Sequence, residues 1–229
     1  MFSANGMKYF DISQKRPIFA RKDAMDTVDS SLLSFIFSSF PRGSVFFAED
    51  LEPTGIPPEA IRFSLSRIVA DQTSVVRLGR GIYCVPEQSS EYSGKLLMPS
   101  MDYIAESLAR RWKVRIAPCG AQAAYLAGFT GLSLNQNTWV SDGSEQIFNL
   151  QNGKSIRFIK RKSMKVFQFR STRMRNLIEA LRYLGKDEIH AEGRGVIADN
   201  LQWVSDEEFL HDIRLSPSWI RELLREIRN

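Results

Sequence analysis

The stretch from Pro58 to Pro86 constrains the fold most, because its first half has a helical period and its second half alternates like a β-hairpin. The apolar positions of the helix recur at i, i+4, i+7 and i+8, at Ile61, Leu65, Ile68 and Val69. This spacing predicts a helix with one apolar stripe facing a core. Two β-prone runs follow, Val75 to Leu78 and Ile82 to Val85, and the loop Gly79-Arg80-Gly81 joins them with glycine available for a positive φ. A polar-faced helix followed by a hairpin with arginine at its tip suits DNA, since such a helix fits a major groove about 12 Å wide.

The residues just before this stretch predict a helix and a short strand. The helix has apolar positions at Val28, Leu32, Phe35, Ile36 and Phe40, and Pro41 ends it. The run Val45 to Phe47 is a short β segment, and Ala48 to Leu51 can form one helical turn. The order of helix, strand, short helix, longer helix and hairpin predicts a winged helix-turn-helix domain over residues 27–90, after an N-terminal extension over residues 1–26.

The expected DNA contacts lie on the polar face of the longer helix, on the hairpin and in the turn before the short strand. They are Ser44, Arg62, Ser66, Arg67, Arg77 and Arg80. The four arginines are chosen because arginine hydrogen-bonds to guanine edges and neutralises phosphates. The competing interpretation of Arg62, Ser66 and Arg67 is an ordinary solvated helix face.

A polar, turn-rich linker at 87–94 precedes a second predicted domain over residues 97–229. Ser100 can cap a helix that ends near Trp112, and Asn152-Gly153 between two apolar runs predicts a hairpin. Further helices are expected from Arg173 to Leu184, after the Ser205 capping box, and after Pro217. The fold class is therefore α+β: a winged helix-turn-helix domain followed by a mixed domain of helices around a small β-sheet.

Charge is distributed unevenly along the chain, although the net charge is only +5. Residues 27–90 have a net charge of −2, residues 151–185 a net charge of +9, and residues 186–229 a net charge of −4. The +9 segment has ten basic side chains, and nine of them form the predicted basic patch: Lys154, Arg157, Lys160, Arg161, Lys162, Lys165, Arg170, Arg173 and Arg175. Lysines also protect strand edges from aggregation, but this number favours binding of nucleic-acid phosphate or of an acidic protein partner.

Other classes of function have weaker support in the sequence. No apolar run reaches the roughly 18 residues that span a bilayer, and no signal peptide is apparent, so a cytoplasmic protein is expected. Two cysteines and two histidines form no metal-binding spacing, and we assign no catalytic residue, metal site or cofactor. A metal-dependent nuclease is the sharpest enzymatic alternative. It would need carboxylates clustered near a lysine, whereas Asp142 and Glu145 lie on a turn without an acidic-x-Lys strand after them.

Several segments, in order, resemble the AbiEi-type antitoxins, transcriptional regulators of type IV toxin–antitoxin systems. In the N-terminal half they are PRGSVFFAEDL, IRFSLSRIV and VVRLGRGIYCVP. In the C-terminal half they are IAESLARRW, PCGAQAAYLAGFTGLSLNQNTWVSDG, IRFIKRK and LIEALRYLGK. The resemblance covers roughly residues 28 to 190. The chain departs from the family at Gly131 to Gln136, where the usual Gly-Leu-Ser-Thr-Gln and the proline after it are missing.

The resemblance implies a DNA-binding regulator that represses its own promoter by binding repeats there. It also implies an antitoxin that counters a nucleotidyltransferase-type toxin, with DNA binding in the N-terminal domain and antitoxicity in the C-terminal domain. We expect a monomer or weak dimer that occupies DNA as a pair. The alternative from a different class is a protein-interaction module whose winged helix does not bind DNA.

Overall fold

The computed structural model describes residues 18–71, 73–88, 95–129 and 136–229, and it has the α+β fold that the sequence predicts. The elements in chain order are α1 (Ile18–Ser39), β1 (Val45–Phe47), a 3-10 helix (Ala48–Thr54), α2 (Pro58–Ile68), β2 (Val76–Gly79), β3 (Ile82–Cys84), β4 (Glu87–Gln88), β5 (Leu96–Leu97), α3 (Met101–Trp112), β6 (Ile116–Pro118), α4 (Ala121–Leu126), β7 (Gln136–Ser141), β8 (Gln146–Asn149), β9 (Ser155–Ile159), α5 (Thr172–Leu184), α6 (Ala191–Leu201), α7 (Asp206–Asp212) and α8 (Ser218–Arg228). Three further 3-10 turns lie at Val69–Asp71, Lys165–Phe167 and Ile213–Leu215. No helix among the described residues is both long enough and apolar enough to cross a bilayer.

The N-terminal part packs α1 and α2 against a three-stranded antiparallel sheet with the strand order β1-β3-β2. Its core contains Leu32 and Ile36 from α1, Leu65 from α2, and Phe46 from β1, all fully buried. The helical stripe and the hairpin predicted from Pro58 to Pro86 are both present. The first helix, however, begins at Ile18 and not near Val28. Residues 18–26 contain good helix formers without an apolar period, so periodicity alone did not detect them.

The predicted linker is partly structured. Glu87 and Gln88 form β4, which pairs with Leu97 and Leu96 of β5 in a two-stranded antiparallel sheet. Residues 89–94 lie outside the described part of the chain. The polar composition of this segment hid the short ladder, because two-residue strands have no detectable alternation.

The C-terminal part contains a four-stranded mixed sheet with the order β6-β7-β9-β8, in which β7 and β9 run parallel. The predicted Asn152-Gly153 turn joins β8 to β9, and Gly153 has a φ of 77°. Ile156 and Phe158 face inward on β9, while Arg157 between them is exposed, as the alternation predicts. Helix α3 begins at its Ser100 cap, whose side chain accepts a hydrogen bond from the Tyr103 amide.

Helices α5 to α8 form a second core beside the sheet. Met174, Leu177 and Leu181 of α5 are fully buried against Ile197 of α6 and Ile220 of α8. The Ser205–Glu208 capping box at the start of α7 is present. Helix α6 was not predicted, since its sequence AEGRGVIADNL contains two glycines and has little amphipathic character.

The two parts of the chain share a core and a strand contact. Phe47 of β1 and Ile82 of β3 are buried in the same cluster as Leu108 of α3 and Phe158 of β9. At the hairpin, the Gln151 amide donates a 2.8 Å hydrogen bond to the Leu78 carbonyl, and Gly79 forms an antiparallel bridge with Leu150. The hairpin is therefore docked on the β8–β9 turn. Gly79 permits this close approach, because a Cβ there would lie 2.9 Å from the Asn149 carbonyl oxygen.

Candidate nucleic-acid interface

Helix α2 turns one face to the core and the opposite face to solvent. Ile61, Leu65 and Ile68 are buried, whereas Arg62 and Ser66 are exposed as the sequence predicts. Arg62 lines a shallow depression with Glu49 and Glu52 of the preceding 3-10 helix. The carboxylates beside Arg62 weaken the positive potential of this end of the helix.

Phe63 is the residue on this face that sequence reasoning missed. Its side chain is 68% exposed, next to Arg62 and one turn before Ser66 and Arg67. The helical spacing of the core stripe, Ile61 to Leu65 to Ile68, already places position 63 outside that stripe, so the signal was present. An exposed aromatic ring on a helix of this kind can contact a thymine methyl group or an apolar partner surface.

Arg67 is engaged within the protein. Its Nε and Nη2 donate hydrogen bonds of 2.7 and 2.6 Å to the two carboxylate oxygens of Asp29 on α1. These hydrogen bonds from Arg67 hold the pKa of Asp29 below its ordinary value, and burial opposes them. Arg67 thus fixes α2 against α1, and reading a base through it would require this bidentate pair to break.

The two arginines of the hairpin, Arg77 and Arg80, differ in their hydrogen bonding. Arg80 is exposed at the turn beside Gly81, whose φ is 73°. The Arg77 side chain is also exposed, and its Nε donates a 3.2 Å hydrogen bond to the Gly79 carbonyl. Ser44 is half-buried, and its hydroxyl donates a 2.6 Å hydrogen bond to the Pro41 carbonyl. The Ser44 hydroxyl proton is therefore engaged in a hydrogen bond within its own turn. Of the two hairpin arginines, Arg80 is better placed to contact a phosphate, because the Arg77 side chain already donates to the Gly79 carbonyl.

Because the hairpin is docked on the β8–β9 turn, the hairpin turn with Arg80 lies next to the start of the basic segment, residues 151–185. The turn with Arg80 follows β2, and β2 contacts the β8–β9 turn through the Leu78–Gln151 hydrogen bond. Lys154 follows in the same β8–β9 turn and is half-buried. The net −2 N-terminal part is thus joined to the start of the net +9 segment, residues 151–185.

The basic segment divides into groups instead of forming one patch. Exposed basic residues lie along β9 and the loop after it, and at the start of α5: Arg157, Lys160, Lys162, Lys165 and Arg173. Arg170 lies near α7, where its side chain pairs with Glu207 at 2.6 Å and its amide donates to Asp212. Arg161 and Arg175 surround the buried Glu179 of α5. The exposed group is the one that can meet a phosphate backbone without breaking an ion pair.

The acidic residues weighed for a nuclease site, Asp142 and Glu145, each accept hydrogen bonds from basic residues of neighbouring strands or loops. Asp142 accepts hydrogen bonds from the backbone and side chain of Arg115, which hold its pKa below the usual range. Glu145 accepts from the Lys160 amide at 3.2 Å. In the described part of the chain, no three His, Cys, Asp or Glu side chains come together as a metal-binding group. Burial also raises the pKa of Cys84 and of Cys119 to about 11, so both thiols stay protonated near neutral pH.

Comparison with known proteins gives one family match. A model of the DUF6088 family, described as a family of unknown function, matches residues 33–209. The chain belongs to the DUF6088 family. The DUF6088 match begins in α1, runs through the hairpin and the mixed sheet, and ends in α7, so it includes both parts of the candidate interface. No curated protein matches the chain.

Proposed function

We propose that this DUF6088 protein is a DNA-binding transcriptional regulator whose N-terminal part acts as a winged helix. The observation that carries the proposal is the docking of the hairpin on the β8–β9 turn, with the Gln151 amide 2.8 Å from the Leu78 carbonyl oxygen. This contact holds the Arg80 turn beside the turn that contains Lys154. In a winged helix the second helix enters the major groove and the hairpin flanks it, so α2 would read bases and Arg80 would meet the backbone.

The charge distribution supports a division of labour between the two parts. The N-terminal part, with a net charge of −2 over residues 27–90, supplies little of the phosphate attraction that drives DNA binding. The exposed cations on β9 and the loop after it, including Arg157, Lys160 and Lys162, supply it instead. Sequence preference then comes from the exposed face of α2, chiefly Arg62, Phe63 and Ser66.

The regulatory role in the proposal is repression of its own promoter, coupled to neutralisation of a nucleotidyltransferase-type toxin. Its support is the ordered resemblance to AbiEi-type antitoxins over residues 28 to 190. The exposed cations of the second part would also suit an acidic partner surface. The DNA and toxin roles predict different mutational effects: loss of base contacts on α2 weakens repression, and loss of the C-terminal surface weakens neutralisation.

The direct test is a gel-shift titration of the full chain on the DNA upstream of its own gene. Arg62→Ala should weaken binding by about 5- to 150-fold, which corresponds to about 1–3 kcal/mol for a base contact. Arg214→Ala is the matched control, since Arg214 is exposed on a 3-10 turn far along the chain from α2. Equal affinities of wild type and Arg62→Ala would remove α2 from the interface.

A second candidate function, a protein-interaction module, is favoured by Phe63 alone. Phe63 on α2 is 68% exposed, and exposed aromatic side chains often anchor protein–protein interfaces. In this case Phe63→Ala would abolish binding of a protein partner, while the full chain would show no salt-dependent affinity for any duplex DNA.

A further inference from the structure

A pocket of about 260 Å³ lies between the loop after β9 and helix α5. Its polar lining consists of Arg161, Lys162, Ser163 and Lys165 from the loop, and Glu179 and Arg182 from α5. Val166 and Phe169 form the apolar part of the wall. Four of these side chains are cationic and one is acidic, so the pocket wall has an excess of three positive charges.

One residue of the pocket lining is acidic, and it is almost completely buried. Glu179 is 3% exposed. Its Oε2 accepts a 2.5 Å hydrogen bond from Arg161 Nη1, and its Oε1 lies 3.6 Å from Arg182 Nε. Arg175 lies close enough for Glu179 to stabilise its charge, while burial, the larger effect, lowers the Arg175 pKa. One carboxylate therefore faces three guanidinium groups.

The three arginines around Glu179 therefore have more positive charge than the one carboxylate neutralises, and they are partly shielded from water. A buried charge is tolerated when a partner neutralises it, and a single carboxylate neutralises one guanidinium of the three. Arg161 and Arg182 are only 34% and 38% exposed, so water screens them incompletely. An anion that enters the pocket would complete the pairing, with guanidinium forks and lysines as donors.

We propose that this pocket binds a phosphate group. Arg161 and Arg182 in its wall offer planar donors for phosphate oxygens, and Lys162 and Lys165 add point charges from the loop. The Ser163 hydroxyl lies in the same wall and can donate as well. The volume is slightly below the roughly 300 Å³ at which small-molecule pockets begin, which fits a phosphate with one attached sugar. The Phe169 and Val166 wall gives that attached group an apolar surface.

The inference goes beyond the proposed function, because it does not require α2 to read DNA. The phosphate could belong to a nucleic-acid backbone or to a small phosphorylated molecule, and both have the same recognition chemistry. In the first case the pocket extends the DNA interface. In the second it is an effector site that links a metabolite to the helical core around α5.

The test is isothermal titration of the full chain with inorganic phosphate and with a nucleoside 5′-monophosphate, at ionic strength held constant with chloride. The double variant Lys162→Ala/Lys165→Ala should bind at least tenfold more weakly than wild type. The matched control Arg214→Ala/Arg225→Ala removes the same charge from exposed positions outside both the pocket and the proposed DNA interface, and it should bind within twofold of wild type. Equal losses in both variants, or no heat beyond that of chloride for the wild type, would overturn the proposal.

Binding to a duplex then distinguishes the two sources. If the backbone occupies the pocket, saturating nucleoside 5′-monophosphate lowers the slope of log duplex affinity against log salt for the wild-type chain by about 0.9, since the pocket holds one phosphate. If a free phosphorylated molecule is the ligand, the monophosphate binds the chain and leaves the slope for duplex binding unchanged. A wild-type chain that binds phosphate but no duplex would refute the DNA-binding function and leave the pocket proposal intact.

Discussion

Replacing Glu179 by glutamine removes the one negative charge among three arginines while keeping the shape of the side chain. In the native protein Glu179 is 3% exposed and hydrogen-bonded to Arg161 at 2.5 Å. The amide of glutamine can still accept one hydrogen bond but cannot neutralise a guanidinium. The variant therefore places the charges of Arg161, Arg175 and Arg182 side by side without compensation.

The magnitude follows from the burial of the groups left behind. Removing one partner of a fully buried ion pair costs about 3–5 kcal/mol. Arg161 and Arg182 are about one-third exposed, so water recovers part of this cost. We expect Glu179→Gln to lower the free energy of unfolding by about 1.5–3 kcal/mol, roughly half of the fully buried cost, because water screens the two arginines.

Urea denaturation followed by circular dichroism measures this difference, with and without phosphate at constant ionic strength. Phosphate should stabilise Glu179→Gln more than the wild type, because the variant pocket has one more positive charge and ligand stabilisation rises with the logarithm of affinity. Glu188→Gln is the control, since Glu188 is exposed. Its unfolding free energy should stay within about 0.5 kcal/mol of the wild type. A Glu179→Gln protein as stable as the wild type, with the same response to phosphate, would refute the charge argument.

Two other predictions concern the contacts that position the interface. Gly79→Ala should lower the free energy of unfolding by about 1–3 kcal/mol and weaken DNA binding, because its Cβ would lie 2.9 Å from the Asn149 carbonyl oxygen and push the hairpin away. The control Gly195→Ala has open space around its Cβ. It should raise the free energy of unfolding by about 0.5–1 kcal/mol in the same urea titrations. The pKa of Asp29 is lowered in the folded state, so its stabilisation is complete above its unfolded pKa near 3.8 and is lost as the pH falls through the folded value. The melting-temperature difference between wild type and Asp29→Asn should therefore be constant near neutral pH and shrink below pH 4, and a difference that persists at pH 2 would show that the Arg67 pair is not its source.

Elements with a strong local pattern could be predicted from the sequence. The apolar stripe of α2, the Asn152-Gly153 turn and the Ser205–Glu208 capping box each have a signal within a few residues, and each is present. Helix α6 has no such signal, because Gly193 and Gly195 reduce helix propensity. It forms since Ile197 and Leu201 pack against α5 and α8, which is information from the tertiary structure.

The sequence predicted which residue types belong to the candidate site, but it did not predict which of them form ion pairs or how they are placed relative to one another. The pairs Arg67–Asp29 and Arg161–Glu179 join residues 38 and 18 positions apart, so no local pattern indicates which arginines are engaged. The basic segment was recognised by its net charge, yet its division into exposed and paired groups depends on how α5 and α7 pack. Docking of the hairpin also depends on a close backbone approach at Gly79 that only the fold shows.

The central claim is tested most directly by the affinity of the full chain for the DNA upstream of its own gene, compared with a shuffled duplex of equal length and composition over a range of salt concentrations. The account predicts tighter binding to the native duplex at every salt concentration. It also predicts a linear fall of log affinity with log salt, with a slope of about −0.9 for each phosphate contacted. Equal affinity for the two duplexes, or binding to neither of them, would contradict it.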